Sequence, residues 1–269
     1  MKVLGLTKPL VGVVHLPPLP GAPGFRGPFE RVLARALADA RAYLEQGMDG
    51  LLVENYGDLP FHAGPVPPET IASMAAAARE IRALGRFPLG VNVLRNDAVA
   101  ALAVAVAAGA DFIRVNVLAG TMLTDQGLVT GDAAGLMRRR ADWGSSVAVW
   151  ADLQVKHAVP LAPIDPAAAA ADLKERALAD ALIVTGPRTG SPIDAAAWKR
   201  VRRAVPRGTW IAGSGIRADA LEAYWDLADG FIVGSSLQRE GRAGSPVVPA
   251  RVRELVAARA ARLARRRRA

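Results

Sequence analysis

The chain has 269 residues, 51% of them hydrophobic, and no cysteine. Those values fit one globular domain spanning residues 1–269, and they exclude disulfides, thiolate metal sites and a disordered chain. The formal charge is +9, but residues 251–269 hold eight arginines against Glu254, so +7 of it sits at the C-terminus on a nearly neutral body; this reads as a basic, frayed tail over 259–269 rather than a nucleic-acid surface.

The opening MKVLGLTKPLVGVV lacks the pattern of a secretory signal, so a cytoplasmic location is expected. Residues 11–15 form a β-branched run, a buried strand ending in His15. The prolines between Leu16 and Pro28 exclude helix. Residues 29–46 place Val32, Leu33, Ala36, Leu37, Ala40 and Leu44 at helical spacing, with Gly47 as the stop. The second strand, 50–53, runs into Glu54 and Asn55. A helix follows over 68–84. The third strand, 87–93, carries Asn92, with Arg95 just beyond. Asp97 is placed to cap the alanine-rich helix ending at Gly109. The apolar run 98–110 is too short to cross a membrane.

The fourth strand, 112–117, puts Arg114 and Asn116 on one face. Residues 118–130 read as a long loop, a candidate lid containing Thr124 and Asp125. A helix over 132–142 leads to the fifth strand, 147–151, which ends in Asp152, with Lys156 and His157 following. A helix over 166–179 precedes the sixth strand, Ala181–Val184. Its turn holds Thr185 and Gly186 and continues through Pro187, Arg188 and Thr189 to Gly190. A further helix lies around Ala195–Ala204. The seventh and eighth strands, Trp210–Ala212 and residues 231–233, end in Gly213-Ser214-Gly215 and Gly234-Ser235-Ser236. The segment between them has helical spacing, and Pro249 opens the last helix.

Eight units of strand, loop and helix predict a parallel sheet covered on both faces, closed as a (β/α)8 TIM barrel. The competing doubly wound sheet lacks support, because no Gly-x-Gly-x-x-Gly follows the first strand, and no organic cofactor is indicated. Polar residues crowd the carboxyl ends of the strands, the rim where barrels build active sites. Small-residue turns there leave backbone N–H groups open to an anion. Gly186, Gly213, Ser214, Gly215, Gly234, Ser235 and Ser236 are therefore candidates to hold a phosphate. His15 is a candidate acid/base or metal ligand. Glu54 and Asp152 can work as acid and base, or hold a divalent cation such as Mg²⁺, or pair with Arg114 or Lys156. Arg95 and Arg114 are anion-binding groups or partners of those carboxylates. Lys156 is a candidate Schiff-base former or a substrate contact at the rim. Asn55, Asn92, Asn116 and Thr185 complete the candidate substrate contacts.

Residues 12–21 (GVVHLPPLPG), 54–58 (ENYGD), 90–97 (GVNVLRND), 112–116 (FIRVN), 151–158 (ADLQVKHA), 184–186 (VTG) and 232–236 (IVGSS) resemble the BtpA family, from about Val11 to the final helix. The resemblance implies a phosphate-binding TIM barrel. The family is named for a cyanobacterial member needed for photosystem I accumulation, and no established reaction comes with it. The expected function is an enzyme for a small, sugar-phosphate-like metabolite, of isomerase, lyase or phosphohydrolase type. The alternative is a non-catalytic stability or assembly factor, as in photosystem I biogenesis. A homo-oligomer is expected.

Overall fold

Short strands that are apolar at successive positions need cover on both faces, and a closed parallel barrel ringed by helices supplies it. The computed structural model describes residues 2–153, 155–186 and 190–268, the last three by backbone alone. In chain order the first half comprises β1 (Leu10–His15), α1 (Phe29–Leu44), β2 (Gly50–Glu54), α2 (Pro68–Arg82), β3 (Leu89–Asn92), α3 (Ala98–Ala108), β4 (Phe112–Val115), β5 (Thr121–Thr124), β6 (Gly127–Thr130) and α4 (Ala133–Asp142). The second half comprises β7 (Ala148–Asp152), β8 (Ala158–Pro160), α5 (Pro166–Ala171), β9 (Ala181–Val184), α6 (Ala195–Ala204), β10 (Trp210–Ala212), α7 (Leu221–Tyr224), β11 (Gly230–Val233) and α8 (Pro249–Arg268).

Strands β1, β2, β3, β4, β7, β9, β10 and β11 close into a parallel barrel, with β11 pairing back to β1. The chain is a (β/α)8 barrel, as the repeated units predict. Alternate residues divide two cores. Val11, Val13, Leu52, Phe112, Trp150, Ile183, Ile211 and Ile232 fill the barrel interior. Leu10, Val14, Leu51 and Val53 face outward to the helices, among them Tyr43, Met74, Ala101 and Trp198. The Phe112 and Trp150 rings stack at 3.9 Å across the interior. A Cβ at Gly90 would lie 2.3 Å from the Phe112 ring, so glycine is what admits that pair.

Three elements depart from the sequence-based expectation. Residues 118–130 contain a hairpin, β5 and β6, which β8 extends into a three-stranded antiparallel sheet. The helix read as 166–179 is α5 followed by a π-helical turn, Asp172–Arg176. The helix between the last two barrel strands is only four residues long. Helix α8 docks through buried Val252 and Leu255 and continues through Arg268. Among the described residues, no helix is long and apolar enough to cross a membrane.

Candidate functional site

The period of two that fills the barrel also builds its mouth. On each strand the inward row ends in a polar residue or a glycine: Val13 then His15, Leu52 then Glu54, Phe112 then Arg114, Trp150 then Asp152, Ile211 then Gly213, Ile232 then Gly234. A polar layer therefore lies directly on the apolar one. Arg114 is its hub. Its Nε and Nη2 each donate to Asp152 at 2.9 Å, and its Nη1 donates to Glu54 Oε1 at 3.3 Å. Asn92 Nδ2 donates to Glu54 Oε1 at 2.7 Å, and Asn116 Nδ2 to Asp152 Oδ2 at 3.0 Å.

Glu54 Oε2 faces His15 Nε2 at 3.5 Å. On the other side of the imidazole, Gln238 Nε2 lies 2.7 Å from Nδ1, while Gln238 Oε1 accepts from the Gly244 N–H. Gln238 Oε1 also lies 3.1 Å from Nδ1, so the amide holds the ring from that side while Nε2 faces Glu54. Burial alone would raise the Glu54 pKa. The His15 hydrogen bond and the Arg114 charge outweigh it and hold the carboxyl at about 2. Burial works against the Arg114 charge, but Asp152 and Glu54 push its pKa well above the ordinary arginine value.

Lys156 comes from beyond β7, and its Nζ donates to the Gly213 carbonyl at 3.1 Å. Burial, and next the Arg114 charge, lower it to about 8. Arg95 Nη2 donates to the Lys156 carbonyl and ties the two loops together. Beside them lie the two glycine-serine turns. The N–H groups of Ser214, Gly215, Ser235 and Ser236 meet no acceptor among the described residues. The Ser214 and Ser236 hydroxyls donate to the carbonyls of Ser191 and Ile216, so they brace the turns. Gly215 has φ +65°, and a Cβ there would lie 2.8 Å from Pro192 Cα. A Cβ on Gly234 would lie 3.1 Å from His15 Cε1, which shows how closely the second turn approaches the imidazole.

These groups enclose a cavity of about 410 Å³. Of the residues named from sequence, His15, Glu54, Arg95, Arg114, Asn116, Lys156, Gly213, Ser214, Gly215, Gly234, Ser235 and Ser236 line it. Asp152 and Asn92 stand behind, holding Arg114 and Glu54 in place. Asn55 also stands behind: it spans Asp58 and the Leu94 backbone. Thr185 and Gly186 instead line a neighbouring, mostly apolar cavity of about 320 Å³, and Val155 is common to both. Pro187, Arg188 and Thr189 of that turn lie outside the described residues. Sequence reasoning missed Tyr56, whose ring lies 4.6 Å from that of His15, although it sits two positions beyond Glu54. It also missed fully buried Gln238, an extended residue just after the short 3-10 turn Ser235–Leu237 that follows the last strand, which carries no local signal.

The donor set does not fit a divalent cation between Glu54 and Asp152. The Arg114 guanidinium already stands there with three hydrogen bonds, and a metal would have to displace a fixed positive charge. Among the described residues, no group of three or more His, Asp or Glu side chains could hold a metal.

Comparison with known proteins follows the same outline. The profile of the BtpA family matches residues 6–261. An uncharacterized protein of Pyrococcus abyssi is 45% identical over 236 residues, 88% of this chain and 90% of that one. The photosystem I biogenesis protein BtpA of Synechocystis sp. is 42% identical over 252 residues, 94% of this chain and 88% of that one. Among solved structures, phosphoribosyl anthranilate isomerase from Thermus thermophilus superposes with a TM-score of 0.56 at 18% identity, covering 94% of this chain and 98% of that one. At that identity the likeness concerns the fold alone. The profile and the relatives span the barrel from its first strand to its last helix, and the chain belongs to the BtpA family.

Proposed function

We propose that the chain is an enzyme acting on a small phosphorylated, sugar-like metabolite. The observation that carries this reading is the juxtaposition within one cavity. Open backbone N–H groups of two strand-end turns, the His15–Glu54 pair next to the second of them, and Lys156 on the first all line the same space. The turns suit a phosphate, because fixed N–H dipoles need no rearrangement to meet its charge. Asn116 Oδ1 is buried without a partner among the described residues and can accept from a substrate hydroxyl. A proton can move between a substrate oxygen and the His15 ring, with ionised Glu54 stabilising the imidazolium that forms. Arg114 keeps Glu54 ionised, and Arg95 and Lys156 add positive charge toward the phosphate.

Thermal unfolding with inorganic phosphate, ribose 5-phosphate and free ribose tests the reading. A phosphate-dependent rise in Tm of several degrees is expected at saturating ligand, from a stabilisation of about 2.7 kcal/mol at 100 times Kd. Ser235→Asp, which sets a carboxylate beside the turn, should abolish the rise. No stabilisation by any phosphorylated probe would overturn the proposal.

A second reading, a protein stability or assembly factor like the Synechocystis relative's printed name, is favoured by one surface. Leu128, Leu123 and Val159 stand in register across the β6–β5–β8 sheet, and each is about half exposed. Replacing Leu123 and Leu128 by lysine would abolish such a role, whereas Glu54→Gln would leave it intact.

A further inference from the structure

Lys156 has an unusual position for a surface-derived cation. It is half-buried, and its backbone carbonyl is held by Arg95. Its Nζ gives one hydrogen bond, to the Gly213 carbonyl, and no carboxylate of the described residues pairs with it. The two carboxylates nearest in charge, Asp152 and Glu54, are both occupied by Arg114. The amine thus sits on the carbonyl just before the open N–H groups of Ser214 and Gly215, in the cavity that His15 and Glu54 also line. It is the only lysine lining that cavity among the described residues.

An amine so placed has a chemistry that arginine lacks. One N–H anchors it to Gly213 O, and in the neutral form its lone pair remains free. We propose that Lys156 is a covalent nucleophile that forms a Schiff base with the carbonyl carbon of a phosphorylated aldehyde or ketone. The proposal rests on the phosphate reading of the same site and narrows it to carbonyl substrates. With the phosphate on the Ser214–Gly215 turn, a carbonyl a few bonds away comes within reach of Nζ. The lone pair attacks carbon while the π electrons pass to oxygen, and one proton passes from the nitrogen to that oxygen, giving a carbinolamine. The carbinolamine then loses that hydroxyl as water, with a proton from His15, as the nitrogen lone pair closes the C=N bond, and the remaining N–H proton returns to His15. Amine plus carbonyl yields imine plus water, with no oxidant or reductant. Burial and the neighbouring Arg114 favour the neutral amine, and Arg95 acts in the same direction; Asp152 and Glu54 oppose them.

The test is reductive trapping. The full chain is incubated with dihydroxyacetone phosphate, and separately with glyceraldehyde 3-phosphate, and treated with sodium borohydride. The expected product gains the mass of the probe less one oxygen atom, and peptide mapping places it on Lys156. Only four other lysines compete, Lys2, Lys8, Lys174 and Lys199. Inorganic phosphate should suppress the labelling, and Lys156→Arg, which keeps the charge, should lose it. Labelling spread over the other lysines and unchanged in Lys156→Arg overturns the proposal. So does an absence of adduct with both probes. If the Tm rise with inorganic phosphate survives in that case, the phosphate site stands and Lys156 is a charge contact; if that rise is absent too, both readings fall.

Discussion

Glu54 is the residue on which the site's electrostatics turn. It sits at 6% exposure, yet its folded pKa of about 2 lies below the ordinary value of 4.5. Burial opposes ionisation; the hydrogen bond from His15, the Arg114 charge and the Asn92 amide together overcome it. A depressed folded pKa means that ionised Glu54 adds stability fully present above about pH 4.5. That stability, on the order of 3 kcal/mol, is lost as pH falls toward 2. Urea unfolding of wild type and Glu54→Gln between pH 2 and 7 measures it. The wild type should lose stability more steeply over that acid range, and parallel curves would show that Glu54 is not held ionised. At this scale much was legible. A polar residue two positions beyond an inward apolar one is inward too, which is why His15, Glu54, Arg114 and Asp152 could be picked from the sequence. Which of them meet was not legible. Glu54 and Asp152 read equally well as metal ligands, acid and base, or ion-pair partners, and only the register around the barrel shows both committed to Arg114.

Among the elements, the β5–β6–β8 sheet is where local pattern fails. Its strands are four, four and three residues long, and Leu123, Leu128 and Val159 face solvent, reversing the usual polar-out alternation. Its third strand arrives only after a barrel strand has intervened, a pairing that no window on 118–130 contains. The sheet rests on a small separate core of Val117, Val129 and Val155, with Met122 and Ala158 packed against it. Val155 also lines the mouth cavity, and Asp125 at the hairpin tip reaches it, so the sheet forms one wall of the site. A sheet resting on three valines should open independently of the barrel. Val129→Ala removes two methyl groups at 2% exposure, roughly 1.5 kcal/mol, and should speed hydrogen exchange of the β5 and β6 amides about tenfold. Barrel amides should be unaffected. Equal acceleration in β1 and β2 would show that the sheet unfolds only with the whole.

Across the whole molecule, charge and chemistry occupy opposite ends. Helix α8 begins after the last barrel strand, on the mouth side, and descends along the barrel. Arg259 pairs with Asp49, which precedes β2 at the amino end of the barrel, at 3.1 Å. Arg262 and Arg265, which follow, therefore lie toward the face away from the cavity, and the helix backbone runs on in that direction through Arg268. Electrostatic effects fade over about 8 Å at physiological salt, so that tail cannot steer an anion into the mouth. Attraction must come from Arg95, Arg114, Lys156 and the turn amides. Cutting the chain after Leu263 tests this separation. It removes Arg265, Arg266, Arg267 and Arg268 and lowers the formal charge from +9 to +5. The contacts that dock the helix, Val252, Leu255 and the Arg259 and Arg262 ion pairs, all remain. Tm should stay within about 2 °C, because exposed ends contribute within about 0.5 kcal/mol. Elution from heparin should shift to lower salt, since fewer cations displace counterions. Phosphate affinity at 150 mM salt, measured by calorimetry, should be unchanged. A fall in that affinity would mean that the tail reaches the mouth of its own or a neighbouring copy, and that the site depends on charge from outside the barrel.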